Sequence, residues 1–288
     1  MLRRFYRRLQ NVPVVRNLNV ISGMERKVRE QLELIHRGQQ EAFVGSLLGQ
    51  ERYRDPKRLA GSEFQVCSQN GEDGILAEIF RRIGTKDRTF LEIGVGNGRE
   101  NNTAYLLAKG WSGCWVEGDR QFSGEIRNHF RSRISEGSLK LIELFVSAEN
   151  ISPTLKSHGV PEELDLLSID VDQNTYWIWS ALSHLRARVV VVEYNATLPP
   201  SFDWKVEYDP RACWDGTFRY GASLKAYETL GHRLGYHLVG CDLHGINAFF
   251  VRQDLCEGKF CEPYDSLNHY EPPRYWLIRV SGHPKGYL

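Results

Sequence analysis

Short apolar runs alternate with amphipathic segments along the middle of the chain. Residues 164–169 and 188–194 are almost continuously apolar, which is typical of parallel strands that are covered on both faces. Residues 121–134 are basic and amphipathic, as in a surface helix. This alternation of strands and helices predicts a doubly wound α/β sheet, and two further runs at residues 236–243 and 248–252 predict a closing hairpin.

A glycine turn joins the first predicted strand to the segment that follows it. Residues 89–119 read TFLEIGVGNGRENNTAYLLAKGWSGCWVEGD, which predicts a strand, a turn, a helix and a second strand. Gly94, Gly96 and Gly98 let the backbone bend sharply and approach a bound molecule, and a helix start after them presents free amide groups. We therefore expect a nucleotide-like ligand at this turn.

Three charged residues narrow the choice of ligand. Arg99 stands where the dinucleotide fingerprint G-x-G-x-x-G requires its third glycine, which argues against NAD. Glu92 stands just before the glycines and suits a ligand with a cationic amino-acid end. Glu117 ends the second strand, where an acid can accept hydrogen bonds from the two ribose hydroxyls.

An acid followed by G-x-G, with a second acid after the next strand, resembles the class I S-adenosylmethionine-dependent methyltransferases. The resemblance covers roughly residues 68–254. Its motifs are SQNGEDGIL, LDLLSIDVDQNTYWIW, VVVVEYN and GINAFFVR, and they are similar to those of the FkbM-type and related sugar or natural-product O-methyltransferases. The resemblance implies a Rossmann-like methyltransferase sheet of seven strands with the last antiparallel, and S-adenosylmethionine as the cofactor.

The segment SQNGEDGIL has two interpretations. Ser68 can cap the following helix, although Glu72 falls one place late for a capping box. Alternatively, as the resemblance implies, Gln69, Glu72 and Asp73 reach over the cofactor, and we favour this because a plain cap does not require Gln69. Ser147 is assigned to the adenine end of the cofactor by its position at the end of the third predicted strand.

A group of polar residues follows the fourth and fifth predicted strands. Asp170, Asp172, Glu193 and Asn195 come from the carboxyl ends of these strands, which form the ligand crevice in such sheets. Carboxylates held close together raise one another's pKa unless a cation neutralises them. That cation is either the methionine end of the cofactor, near Asp170, or Mg²⁺ bound by Asp170, Glu193 and Asn195. The alternative is that the two aspartates cap the helix near Thr175.

The resemblance implies methyl transfer to an oxygen, most readily a hydroxyl of a sugar or glycan. Such a hydroxyl needs a metal or a base to draw off its proton, and Asp170, Asp172 and His244 are the catalytic candidates. His244 belongs to the turn after the sixth strand, although a loop histidine is often structural. Asn247 is an alternative polar contact.

Two functions other than sugar methylation stay open. The chain can be a non-catalytic scaffold that retains the cofactor fold, or it can methylate an amine or a phosphoryl-type acceptor. Residues 196–220 are rich in aromatic side chains and predict either a lid over a sugar or a satellite core.

Composition and charge bear on compartment and partners. The chain has 288 residues and a formal net charge of +1, so we expect no nucleic-acid partner, and the resemblance implies a small-molecule or glycan substrate. No run of about 18 apolar residues occurs, and no apolar signal core follows the basic start, so we expect a cytoplasmic protein.

The six cysteines show no C-x-x-C spacing, and we expect them to be reduced; only Cys256 and Cys261 are placed for a local bridge or half a metal site.

We divide the chain into a basic and helical extension at residues 1–60, a methyltransferase domain at 61–255 and a tail at 256–288 that packs on the domain or a partner. Residues 1–10 mix arginines with apolar residues, which favours peripheral contact with the inner face of a membrane or a role as a solvated or oligomer-contacting arm. Residues 24–43 form an amphipathic helix that packs on the domain or on a second subunit of a homo-oligomer.

Overall fold

The computed structural model describes residues 13–277, and the side chains of residues 24–277. Two compact units are present, Met1–Gln50 and Glu51–Leu288, whereas the three segments drawn from the sequence stay a prediction. The predicted membrane or oligomer arm, residues 1–10, lies outside the described part. Within the described part, no helix is both long and apolar enough to cross a bilayer.

The first unit contains one long helix, α1, at Pro13–Leu48. It is longer than the predicted amphipathic helix at residues 24–43 and begins at a proline. A proline is tolerated in the first turn of a helix, because its missing N–H has no intrahelical partner there.

The second unit is built on a seven-stranded sheet with the order β3-β2-β1-β4-β5-β7-β6. β1 to β5 pair in parallel, and β7 is antiparallel to β5 and to β6. The predicted α/β fold, with its closing hairpin, is therefore confirmed. The strands are β1 Thr89–Ile93, β2 Ser112–Glu117, β3 Leu139–Glu143, β4 Glu163–Ile169, β5 Arg186–Glu193, β6 Tyr236–Cys241 and β7 Asn247–Arg252.

Helices cover both faces of this sheet. In β5, Val190 and Val192 enter one buried core while Val189 and Val191 enter the other. Because successive strand residues point to opposite faces, a continuous apolar run is what a doubly covered strand requires. The α-helices are α2 Glu72–Ile83, α3 Ala104–Ala108, α4 Arg120–His129, α5 Arg131–Ser135, α6 Ile151–Ser157, α7 Thr175–Ala181, α8 Leu224–Arg233 and α9 Ser266–His269.

Several boundaries differ from the predicted ones. The helix expected at residues 121–134 is divided into α4 and α5 at the buried Phe130. The strand expected at residues 138–147 ends at Glu143, after which the chain leaves the sheet. All six cysteines lie in the described part and are free, including Cys256 and Cys261.

Candidate functional site

The glycine turn after β1 lies against the end of β4. Ile93 is paired with Ile169 in the parallel ladder, and the amide of Asp170 donates to the carbonyl of Ile93 at 2.9 Å. Gly94 has φ +80°, and a Cβ at this position would lie 1.7 Å from the carbonyl oxygen of Asp170. Only glycine fits a backbone that is both left-handed and this close to its neighbour.

Glu117, at the end of β2, holds the turn from the other side. Its carboxylate accepts hydrogen bonds from the amides of Val95 at 3.1 Å, Gly96 at 2.8 Å and Asp119 at 2.8 Å. Burial raises the pKa of Glu117, while these amide contacts oppose the rise. The side chain also lies in the wall of the first cavity described below, where the sequence predicted the ribose contact.

Glu92 has a different position from the one predicted. Its side chain is buried, and its carboxylate accepts from the Asn101 side chain at 2.7 Å, from the amide of Asn102 at 2.8 Å and from the amide of Thr103 at 3.1 Å. It lines none of the three cavities described below. The direct cofactor contact of Glu92 stays a prediction; what the structure gives is that Glu92 holds the loop that leads into α3.

The first cavity has a volume of about 440 Å³ and opens at the carboxyl ends of β1, β2 and β4. Phe122 and Phe145 line it although their side chains are 38% and 52% exposed. Such exposed rings at a cavity wall leave an apolar surface that a ligand can cover. The wall consists of Ile93, Gly94, Gly96, Val116, Glu117, Gly118, Asp119, Phe122, Leu144, Phe145, Val146, Asp170, Val171, Asp172, Asn174, Ala212 and Cys213.

Ser147 is not part of this wall. Its amide donates to the Asn150 side chain at 2.8 Å, and its hydroxyl accepts from the Asn150 amide at 3.3 Å. This reciprocal arrangement starts α6. The predicted adenine contact of Ser147 stays a prediction, whereas residues 144–146, which leave the sheet, line the cavity directly.

Of the residues in SQNGEDGIL that were expected to reach over the cofactor, only Gln69 lines a cavity. The Asp73 carboxylate accepts hydrogen bonds from the amides of residues 66–68. The Asp73 amide donates to the Ser68 hydroxyl at 3.1 Å, so Ser68 caps the helix through Asp73. Glu72 is buried and accepts from the side chain of Asn247 at 2.9 Å. Its cofactor contact stays a prediction, and the contact that the structure gives is the structural one with Asn247.

Three carboxylates converge where β4 and β5 end. Val192 pairs with Ile169, and this register places Glu193 beside Asp170. Ligand oxygens of Asp170, Asp172 and Glu193 all lie within 4.8 Å of one another. Asp172 has φ +52°, a conformation uncommon outside glycine, which turns the chain sharply after the strand.

The cluster shifts the pKa of its members upwards. Desolvation of its carboxylate by the surrounding protein groups and the nearby Asp172 raise the pKa of Asp170 to about 7, although the residue as a whole is exposed to the cavity. Burial and the neighbouring aspartates raise the pKa of Glu193 well above its ordinary value. The cluster therefore retains a proton near neutral pH unless a cation replaces it.

The predicted role of Asn195 as a metal ligand stays a prediction, and in the structure its side chain makes hydrogen bonds to a loop. Its side-chain nitrogen donates to the carbonyl of Phe218 at 2.7 Å and to that of Tyr220 at 3.1 Å, and its oxygen accepts from the Thr197 amide at 3.2 Å. The side chain thus fixes both ends of the loop at residues 196–220. Asp172 takes the third position of the cluster.

A second cavity, of about 530 Å³, lies on the other side of the carboxylates and shares Asp172 with the first. His244 is in its wall and is 2% exposed, so the predicted catalytic histidine does lie near the rim. The hydroxyl oxygens of Tyr220 and Tyr275 are 3.2 Å apart. The wall consists of Gln65, Gln69, Asn70, Glu100, Asp172, Glu193, Trp214, Tyr220, His244, Ile246, Tyr275 and Leu277.

A third cavity, of about 670 Å³, adjoins the other two. It shares Gly94, Gly96, Phe122 and Asp170 with the first cavity, and Gln69 and Glu100 with the second; Val95, Asn97 and Arg99 complete its wall. The three spaces therefore meet around the carboxylate cluster. Such an arrangement has room for two ligands whose ends face each other.

Sequence reasoning missed the aromatic residues Phe122, Phe145 and Tyr275 as parts of this site. Phe122 and Phe145 each stand a few residues beyond a strand end, and this spacing was the available signal. Tyr275 had no such signal, because it is far along the chain from every strand that it approaches.

No protein-family model and no curated protein sequence matches the chain. Among solved structures, it is similar to a precorrin-6y C5,15-methyltransferase from Geobacter metallireducens GS-15, with 17% identity over 46% of this chain and 66% of that one and a TM-score of 0.32. An S-adenosylmethionine-dependent methyltransferase from Clostridium acetobutylicum ATCC 824 has 12% identity, coverage of 62% and 89%, and a TM-score of 0.40. An O-methyltransferase from Bacillus cereus in complex with SAH has 16% identity, coverage of 61% and 76%, and a TM-score of 0.40. Similarities of this size leave the reaction of this chain to be argued from its own residues.

Proposed function

We propose that this protein is an S-adenosylmethionine-dependent O-methyltransferase that acts on a hydroxyl group of a sugar or glycan. One observation carries the proposal: the cavity at the glycine turn and the aromatic-lined cavity meet at Asp172. A donor in the first and an acceptor in the second would have their reacting ends side by side. Holding two reactants in line in this way can lower a barrier by roughly 7 kcal/mol or more in favourable systems.

The wall of the first cavity fits the nucleoside part of the donor. Phe122 and Phe145 offer apolar surface to an adenine ring, and Glu117 can accept hydrogen bonds from ribose hydroxyls. The third cavity continues from there past Asp170 towards Gln69 and offers room for the methionine end. The cofactor, when bound, supplies a methyl group on a sulfonium, which is already activated for transfer to an oxygen.

The carboxylate cluster fits a divalent cation of the magnesium type. Asp170, Asp172 and Glu193 offer only oxygen ligands, and their oxygens are within reach of a single ion. These residues would hold Mg²⁺ beside the acceptor hydroxyl, where a cation lowers the pKa of that hydroxyl.

Two side chains are placed to receive the proton of the acceptor. If no metal is bound, Asp170, with a pKa of about 7, is suited to general-base work near neutral pH. His244 lies in the wall of the second cavity and is the other candidate. Asp172 lines both cavities, and in this scheme it orients the two ligands.

Two measurements test the proposal. Calorimetric titration with S-adenosylhomocysteine and with NAD should give binding of the former only; binding of NAD alone would refute the methyltransferase assignment. Incubation with methyl-labelled cofactor and cell-derived glycans, with and without EDTA, should place label in an O-methyl sugar. Chelator-resistant transfer would remove the metal from the scheme, and label on nitrogen would replace the O-methyl assignment by the amine alternative.

The scaffold alternative is tested with two variants. Asp170→Ala and Glu193→Ala should abolish methyl transfer, because both residues belong to the cluster between the cavities. If the protein binds S-adenosylhomocysteine but neither it nor either variant transfers a methyl group to any fraction, the protein is a scaffold rather than an enzyme.

A further inference from the structure

The segment at residues 270–277 closes one side of the second cavity. The amide of Arg274 donates to the carbonyl of His244 at 2.8 Å, and its guanidinium donates to the carbonyl of Leu243 at 2.7 Å. Gly245 has φ +71°, and a Cβ there would lie 2.5 Å from the carbonyl oxygen of Pro272. The segment is thus pressed onto the turn between β6 and β7, with Tyr275 facing the cavity.

A buried carboxylate fixes this segment. Glu271 has a side chain that is 4% exposed, and it accepts hydrogen bonds from Arg52 at 3.1 Å, from the Tyr53 hydroxyl at 2.8 and 2.9 Å and from Arg274 at 2.8 Å. Charge-assisted contacts of this kind order the groups that make them. The position of Tyr275 is therefore built into the fold and does not depend on a bound ligand.

Aromatic side chains from two distant parts of the chain surround the mouth of the cavity. Tyr220 and Trp214 come from the loop at residues 196–220, and their rings meet edge to face with centroids 6.2 Å apart. Tyr275 comes from the closing segment and meets Tyr220 through the paired hydroxyls. Trp214 is 53% exposed and Tyr275 is 48% exposed, so ring surface is free to contact an acceptor. Rings that carry hydroxyls suit a molecule with both C–H faces and hydroxyl groups.

Charge restricts which molecule of that kind can enter. Glu100, Asp172 and Glu193 all line the second cavity, and Asp170 lies beside it in the cluster. Among residues 13–277, no lysine or arginine lines this cavity. One divalent cation offsets only two of the three carboxylates of the cluster, Asp170, Asp172 and Glu193. A phosphate, sulfate or carboxylate on the acceptor would therefore face like charge, which costs several kcal/mol when the groups are brought together.

We propose, on the basis of the proposed methyl transfer, that the acceptor is a saccharide that carries no anionic group, either neutral or amino-bearing, and that it is held against Tyr220 and Tyr275. Neutral monosaccharides and neutral oligosaccharides are then possible acceptors, whereas nucleotide sugars, sugar phosphates and uronic-acid polymers are not. The segment at residues 270–277 acts as the specificity-determining part of the site.

The experiment separates cell-derived saccharides by anion exchange into an unretained neutral and cationic fraction and a retained anionic fraction. Each is incubated at equal hexose content with the full chain, methyl-labelled cofactor and Mg²⁺, and label in O-methyl sugar is counted. We expect the unretained fraction to accept at least about tenfold more label, since like-charge contact suppresses the wrong partner. Preferential labelling of the retained fraction would overturn this inference and leave the methyltransferase function standing.

A parallel titration with S-adenosylhomocysteine distinguishes a failure of this inference from a failure of the proposed methyl transfer. If that ligand binds and neither fraction accepts label, the proposed glycan methylation fails and this inference falls with it. If label enters the unretained fraction, the variants Tyr275→Ala and Tyr275→Phe test the proposed contact between Tyr275 and the acceptor. Tyr275→Ala should raise the KM for the unretained fraction about tenfold while binding of S-adenosylhomocysteine stays unchanged, and Tyr275→Phe should keep most of the ring contact.

Phe202→Ala is the matched control for this pair. Phe202 is an aromatic residue of the loop at residues 196–220 with 48% exposure, and it does not line the second cavity. Its substitution should leave the KM unchanged. An equal KM for Tyr275→Ala and the unmodified protein would overturn the assignment of Tyr275 as a specificity residue.

Discussion

The Glu117 carboxylate accepts a hydrogen bond from the backbone amide of Gly96 at 2.8 Å. This contact joins the end of β2 to the glycine turn after β1, and the same carboxylate holds the amide of Val95 at 3.1 Å. The acid that the sequence predicted as a ligand contact therefore shapes the glycine turn.

Glu117→Ala should weaken binding of S-adenosylhomocysteine by at least about tenfold, because hydrogen bonds to a charged group contribute roughly 1.5–3 kcal/mol. Glu117→Gln keeps one oxygen acceptor and should have a smaller effect. Calorimetric titration measures both. Glu136→Gln is the control, since Glu136 is a surface residue whose side chain is 60% exposed. Unchanged affinity in a folded Glu117→Ala protein would contradict this account of the turn.

Two glycines of the turn should respond differently to alanine. Gly94→Ala places a Cβ 1.7 Å from the Asp170 carbonyl oxygen, so the ends of β1 and β4 must separate. Gly96→Ala meets nothing within 4 Å and has only the strain of φ +56°. We expect a loss in the free energy of unfolding of about 1 kcal/mol for Gly96→Ala, and more than about 2 kcal/mol for Gly94→Ala. Urea denaturation compares them, and equal losses would contradict the close contact.

The parts of the site that the sequence predicted correctly are those whose position follows from strand ends. The parallel ladder brings residues that end β4 and β5 to one edge, so Asp170 and Glu193 could be placed from the pattern alone. The same rule placed Asn195 there as a candidate ligand. It gave no indication that the hydrogen bonds of this residue go to carbonyls 23 and 25 residues further along a loop with no periodic pattern.

Side-chain partners across the chain explain the other differences. Glu92 satisfies amides at positions 102 and 103, which lie beyond the glycines, and nothing in the local pattern distinguishes such a contact from a ligand contact. Tyr275 meets Tyr220 across a separation of 55 residues. Contacts of this kind depend on how loops close over the sheet, and hydrophobic periodicity carries no information on that.

The pKa of Asp170 gives a pH-dependent prediction. Its pKa in the folded protein is about 7, above the ordinary value of 3.8, because of burial and the adjacent Asp172. The proton is held more tightly in the folded state, so this group favours folding below about pH 4, and the contribution is lost as pH rises towards and through 7. A divalent cation competes with that proton. Stabilisation by Mg²⁺, measured as a rise in Tm, should therefore be larger at pH 8 than at pH 6.

Asp170→Asn should remove this Mg²⁺ effect and should raise stability at pH 8 in the absence of metal, because it relieves repulsion within the cluster. Asp215→Asn is the control, since Asp215 is exposed and belongs to the loop rather than to the cluster. A rise in Tm with Mg²⁺ that is the same at both pH values, or that persists in Asp170→Asn, would argue against a metal at these carboxylates.

Glu271→Gln should destabilise the protein by about 3 kcal/mol, because it leaves the buried Arg274 without its charged partner. The loss should appear in urea denaturation and should leave binding of S-adenosylhomocysteine unchanged, since Glu271 does not line the first cavity. Glu262→Gln, at an exposed position near the segment, is the control. A variant as stable as the control would mean that the closing segment is held by other contacts.

The last prediction concerns the apolar stripe of α1, formed by Met24, Val28, Leu32 and Ile35, whose exposures are 63%, 57%, 60% and 56%. We propose that this stripe pairs with the same stripe of a second copy. The residues recur at intervals of three or four, as in paired helices, and burying each such side chain contributes roughly 1.5–3 kcal/mol. Ion pairs within the helix, between Arg26 and Glu30 and between Arg29 and Glu25, reduce the repulsion between two identical faces.

Light scattering of the full chain should give a dimer or higher oligomer, and Val28→Glu with Leu32→Glu should give a monomer. Glu33→Gln, on the polar part of the helix, should leave the oligomer intact, and a monomeric parent protein at tens of micromolar would refute the pairing.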